Sequence, residues 1–100
     1  MSYNGWTNYE TWLVNLWMDN EEGSYRGAQE LARSALEDES DRDDAVQSVA
    51  EHLKEEHESA AADAVPAGVF SDLVGAALSE VDWREIAGHL VDAAEEEAAP

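Results

Sequence analysis

Cysteine is absent from the 100-residue chain. That excludes a disulfide framework, a thiol nucleophile and a cysteine-held zinc, and leaves stability to packing. Cations are scarce as well: Lys54 is the single lysine, joined by Arg26, Arg33, Arg42 and Arg84. Neutralising phosphates requires clustered Lys and Arg. These five are scattered among acids, so direct nucleic-acid binding is not expected. No apolar run approaches the ~20 residues that span a bilayer, and the first twenty residues lack a basic start followed by an apolar stretch. The expected location is the cytoplasm, without a membrane partner. Period-two alternation is missing, which argues against strands, and no internal repeat is found. A Gly-rich phosphate loop, a nucleophile elbow and a Ser-His-Asp spacing are all lacking. The chain is therefore expected not to be an enzyme, and no catalytic residue, cofactor or metal is assigned.

What the chain has in excess is carboxylate. Twenty-four Asp and Glu give a net charge of −19, and such a monomer repels itself at ordinary ionic strength. Molar salt cuts the Debye length to about 3 Å and removes most of that repulsion. Acid without lysine, beside abundant Ala and Val, resembles the proteomes of salt-loving archaea and their viruses. Disorder is the other outcome open to an acidic chain. Four Trp, three Tyr and one Phe, with apolar residues at helical spacing, point instead to a folded chain. The charge is uneven: residues 21–63 hold 14 acids, residues 1–20 only two.

Five helices are expected in an all-α, compact bundle: a single domain over 1–97 with a frayed end at 98–100. The first runs from about Asn8 to Asn20, capped by Thr7 with Glu10 completing a capping box. Tyr9, Trp12, Leu13, Leu16 and Trp17 share one face, while Val14 and Met18 lie nearly opposite. The second spans about Tyr25–Leu36 after a break at Gly23, with Ser24 as cap and Tyr25, Ala28, Leu31, Ala32, Ala35 and Leu36 inward. The third spans about Arg42–Ser59, capped by Ser40 or Asp41, with Val46, Val49, Leu53 and Ala60 in line. The state of the connector Ala60–Val65 is left open, and Pro66 is placed in the first turn of the fourth helix. That helix, about 67–80, is expected to bury Val69, Phe70, Leu73, Val74, Ala77 and Val81. Gly68, Ser71, Asp72, Gly75 and Ser79 line its other side. The fifth is capped by Asp82, boxed by Glu85 and stapled by Val81 to Ile86. Trp83, Ile86, Ala87, Leu90, Ala93 and Ala94 face inward, and Glu95-Glu96-Glu97 frays.

Three histidines are candidate ligands. His52 and His57 lie about 140° apart around one helix, so they cannot chelate an ion as an i, i+4 pair does. His57 falls at a core edge, and His89 follows Glu85 by one turn. Trp6, Tyr9, Trp12 and Trp17 crowd into twelve residues, and aromatic rings serve equally as core and as interface anchors. Trp12 and Trp17 are expected in the core, with Trp6 exposed or capping it. The candidate interaction surface comprises Trp6, Tyr9, Trp12 and Trp17, with Gly68 and Gly75 on the small-residue side of the fourth helix.

The segment Gly5-Trp6-Thr7-Asn8-Tyr9-Glu10-Thr11-Trp12 resembles the N-terminal signature, Gly-Trp-x-Asn-Tyr-Glu-Thr-Trp, of small proteins from phages, plasmids and haloarchaea. Glu80-Val81-Asp82-Trp83-Arg84-Glu85-Ile86-Ala87 is similar to a second, weaker element of the same family. The resemblance implies no activity, cofactor or catalytic residue, only an association with mobile elements. The functional expectation is a non-enzymatic helical module that binds an unknown protein partner, possibly a second copy of itself. Two alternatives stand beside it: an acidic decoy that mimics DNA toward a nucleic-acid-binding protein, and a metal-dependent enzyme using the histidines. If the acidity is salt adaptation, helicity and melting midpoint rise together as KCl is raised from about 0.1 M to about 2 M. Circular dichroism reads both, and a midpoint indifferent to salt contradicts the adaptation.

Overall fold

A computed structural model describes residues 3–98, which form five helices. They are α1 (Tyr9–Asn20), α2 (Glu22–Asp38), α3 (Arg42–Ala64), α4 (Val69–Ser79) and α5 (Trp83–Ala98). The all-α expectation holds. Among the described residues the only β-type pairing is an isolated bridge between Tyr3 and Trp6, closing a tight turn over Asn4 and Gly5. Both turn residues have positive φ, 47° and 89°, which a two-residue type I′ hairpin turn requires and Asn-Gly supplies at least cost.

The helix boundaries follow from local chemistry. Asn8, not Thr7, caps α1: its extended backbone turns the chain, and its Oδ1 accepts from Thr11 N at 2.9 Å. Gly23 does not break the chain. Glu21 ends α1 and begins α2 as a single extended residue, and Ser24 donates its hydroxyl to Glu21 instead of capping. Glu21 and Glu22 at this start favour the positive end of the helix dipole. Asp41 caps α3 through Asp43 N at 3.1 Å. The connector Ala60–Ala64 is helical, as four alanines in five positions favour. Val65, held extended before Pro66, then stops α3. Pro66 consequently lies in the loop, not in the first turn of α4. That helix starts three residues later, after Gly68, whose φ of 152° side chains rarely adopt. Ser71 Oγ accepts from Gly68 N and donates to Gly68 O, both at 2.8 Å. The α5 helix continues through Glu95-Glu96-Glu97, which do not fray. Of the end expected to fray at 98–100, residues 99–100 lie outside the described residues.

The core lies among α2, α3 and α5. It contains Ala28, Ala32 and Ala35 from α2, Ala45, Val46, Val49, Ala50 and Leu53 from α3, and Ile86, Ala87, Val91 and Ala94 from α5. Met18, Val81 and Trp83 complete it. Alanine on the facing stripes lets the helices approach closely, so the few larger side chains carry most of the buried area. Ala60 of the expected α3 stripe and Ala93 of the expected α5 stripe are exposed, and Val91 is buried in their place. Tyr25 is also mostly outside. The α1 helix packs on α2 and on the edge of α5, whereas α4 rests mainly on α3. No helix among the described residues is long and apolar enough to cross a membrane. Ile86 is fully buried at the centre of this core, so Ile86→Ala is expected to cost about 2–5 kcal/mol in a denaturant titration at high salt.

Candidate functional site

The most ordered polar feature joins the start of α1 to the turn between α4 and α5. Thr11 is fully buried, unlike any other polar residue described. Its Oγ1 donates to Asn8 Oδ1 at 2.6 Å and accepts from Asp82 N at 2.8 Å. Asn8 in turn donates Nδ2 to Glu80 O at 2.6 Å. Thr7 N donates to Glu85 Oε1 at 2.9 Å, and Asp82 Oδ1 accepts from Glu85 N at 3.0 Å. Asp82 therefore caps α5 as expected, but Glu85 does not return to Asp82 N to close a box. Thr11 takes that donor and Thr7 takes Glu85. No buried side-chain polar atom among the described residues is left without a partner. The segments around Asn8 and around Asp82 are thus one hydrogen-bonded joint.

Burying Thr11 selects which of the two apolar sides of α1 meets the core. Thr11, Val14 and Met18 face the core, spaced i, i+3, i+7 on one side of the helix. On the other stripe Trp12, Leu13 and Leu16 are half-buried, while Tyr9 is 48% and Trp17 69% exposed. Trp17 is accordingly a surface residue, not a core one. Trp12 is half-buried in a ring cluster, with centroids 4.9 Å from Tyr3 and 5.7 Å from Tyr9. Tyr3 and Tyr9 meet edge-on at 5.2 Å, a geometry that aromatic quadrupoles favour. Trp6 is half-buried on the core edge, its ring 4.5 Å from that of His89. The four candidate aromatics are therefore divided: Tyr9 and Trp12 cluster together, Trp6 lies on α5, and Trp17 stands apart. The Asn4-Gly5 dipeptide is the sequence signal for the turn that sets Trp6.

The α4 helix also departs from its expected facing. Ser71, Val74 and Leu78 are its partly covered residues. With Gly75 they line a groove against Ala61 and Ala62 of α3. Of the small-residue side only Ser71 is partly covered; Gly68, Asp72, Gly75 and Ser79 stay exposed, and a Cβ added at Gly75 would touch nothing within 4 Å. Gly68 serves as the helix cap and not as a contact face. Val69, Phe70 and Leu73, expected in the core, are 66%, 71% and 60% exposed. No residue of α4 is buried.

The histidines do not converge. His52 pairs with Glu56 at 3.5 Å, His57 Nδ1 lies 2.8 Å from Leu53 O with its ring 5.1 Å from Trp83, and His89 stacks on Trp6. No group of three or more His, Asp or Glu among the described residues is placed to hold a metal ion. Of the cations, Arg42 alone makes ion pairs that tie distant segments, to Asp92 and to Glu95, the latter at 3.0 Å. Its hydrogen bond to Asp92, then that to Glu95, raises its pKa further above neutrality. Arg26–Glu22 and Arg33–Glu30 are local to α2.

Thr11→Val keeps the shape of the side chain but leaves Asp82 N without its acceptor in a part-buried place. The expected loss is about 1–3 kcal/mol of unfolding free energy, with Thr11→Ser losing less than half of that. Equal stability of the valine variant and the native chain would show that the joint is dispensable.

Comparison with curated proteins and with solved structures finds no match. A family model does match, over residues 1–97, and its description reads family of unknown function, DUF7249. That span takes in both halves of the joint, the ring cluster and all of α4. The chain belongs to the DUF7249 family.

Proposed function

We propose that this chain is a non-enzymatic protein-binding module of a salt-adapted cell or its mobile element, working in the cytoplasm through the outer face of α4. What carries the reading is the run of uncovered apolar side chains Val69, Phe70 and Leu73. Scattered exposed apolar residues are ordinary on a protein surface, but a contiguous patch marks an interaction site. Ala76 and Ala77, both exposed, extend the face, and Asp72 is the only charged residue within α4.

The occupant is a second copy. Large side chains stand at the start of the face and small ones at its end. An antiparallel two-fold centred on Leu73 sets Val69 against the partner's Ala77 and Phe70 against the partner's Ala76. Such self-complementarity is what an isologous interface requires. Each large side chain removed from water contributes roughly 1.5–3 kcal/mol at full burial, and a dimer removes six. Association entropy opposes this by about 4–15 kcal/mol, a term of the same size, so the pairing is expected to be reversible.

Sedimentation equilibrium in about 2 M KCl, where charge repulsion is screened, is expected to show a reversible dimer. Phe70→Glu and Leu73→Glu should each weaken it at least about tenfold while leaving the circular dichroism unchanged, because neither side chain touches the core. A native chain that stays monomeric up to about 1 mM, in the same weak range, rules out pairing of copies. Unaltered association of both variants moves the contact off α4.

A further inference from the structure

A cleft of about 250 Å³ opens where α1, α2 and α5 meet the N-terminal turn. The rings of Trp6, Tyr25 and His89 line it together with the carboxylates of Asp19 and Glu97. We infer that this cleft binds a small organic ammonium cation with alkylated nitrogen, held against the rings and neutralised by the two carboxylates.

Three observations carry the inference. The first is the preformed aromatic wall. Trp6 is fixed on both sides of its backbone, with N and O bonded to Tyr3 at 2.8 and 2.7 Å, and its ring rests 4.5 Å from His89. Trp6 and His89 are thus held against one another at the wall of the cleft. The second is charge. Asp19 is oriented by Asn15 Nδ2, which donates to its Oδ2 at 3.1 Å. Neither Asp19 nor Glu97 has a Lys or Arg partner among the described residues, and no Lys or Arg lines the cleft. The third is size and polarity. The cleft is below the range of about 300–1,000 Å³ usual for drug-sized ligands, and Leu90 contributes an apolar part of the lining.

These features select among cations. A bare metal ion needs several converging oxygen or nitrogen ligands, and the described residues offer no such group. Hydrated potassium gains little from a ring face. An alkylated ammonium is weakly hydrated, buries its methyl groups against the rings and retains its full charge for the quadrupole and the carboxylates. The same chemistry is found in a free small cation and in a methylated lysine side chain. The inference does not rest on the α4 surface, and its failure would leave that surface untouched.

The test uses the full chain in about 1 M KCl, where screening confines charge effects to contact range. Choline chloride is titrated by calorimetry, and the Trp6 indole N–H is followed by NMR. Its neutral isostere, 3,3-dimethyl-1-butanol, and a short peptide bearing one trimethyllysine are titrated in parallel. Saturable choline binding that shifts the Trp6 resonance is expected, with the isostere weaker by about tenfold. Tyr25→Leu and Glu97→Gln alter exposed side chains without disturbing the core, and each should weaken binding by about threefold or more. Trp6→Leu should abolish it. A peptide at least about tenfold tighter than choline identifies the modified side chain as the source, and the reverse order identifies a free cation. The inference is overturned if the neutral isostere binds as well as choline, or if neither cation saturates by about 50 mM, above the millimolar limit of weak specific binding. Binding unaffected by Tyr25→Leu and Glu97→Gln also overturns it.

Discussion

A single buried hydroxyl sets the geometry of this protein. Thr11 sits where the first turn of α1 meets the turn between α4 and α5, accepting from Asp82 N and donating to Asn8 Oδ1. Burial without those partners would cost about 1–3 kcal/mol. With them, the hydroxyl determines which side of α1 faces inward. That choice buries Met18, packs Val14 against the core and leaves Trp17 in solvent. It also holds Asp82 at the head of α5, where the same residue caps the helix through Glu85 N. The chain ends of α1 and α5, more than seventy residues apart in sequence, are thus positioned by side chains of fixed length and not by the hydrophobic core alone.

That matters because the core is thin. Seven of the fifteen buried apolar residues are alanine, each burying little area, and the ion pairs among described residues are all solvent-exposed. Exposed pairs contribute little and less still in salt. Close helix contact along alanine stripes, a few fully buried branched side chains and satisfied polar groups remain. In such a molecule a hydrogen-bonded joint of short distances has proportionally more influence on the packing than it would beside a larger core.

The elements themselves were legible in the sequence, and their facing was not. The cap at Asp82, the start of α3 at Arg42 and the inward Val46, Val49, Leu53, Trp83, Ile86 and Ala87 follow from capping chemistry and helical period, both local. The fold departs from periodicity where a helix has two apolar sides or one side of small residues. In α1 the heavier stripe, Tyr9 to Trp17, loses to the face that carries Thr11, because the partners that satisfy its hydroxyl lie across the chain. In α4 only Ser71, Val74 and Leu78 are partly covered, on the side toward α3, and Val69, Phe70 and Leu73 are left outside. The expected interaction residues fared accordingly: Gly68 and Gly75 serve the cap and the groove against α3, while Phe70 and Leu73, assigned to the core, form the outer face. The Asn4-Gly5 turn was readable and would have placed Trp6. Its pairing with His89 was not, since nothing local connects them.

Exposing large apolar side chains on a chain of charge −19 looks contradictory until range is considered. Coulomb repulsion between two such molecules acts over tens of ångströms in dilute salt, where it keeps apolar patches apart regardless of their fit. At molar salt it shrinks to about 3 Å, about one water layer beyond contact. Burial of apolar area acts only at contact and survives that screening. Under the proposed pairing, the outer face of α4, with Asp72 as the only charge of that helix, would be held apart from its copy in fresh water and free to meet it in brine. Acidity and stickiness are compatible because they operate at different distances, and the ionic strength decides which of the two a neighbouring molecule meets first.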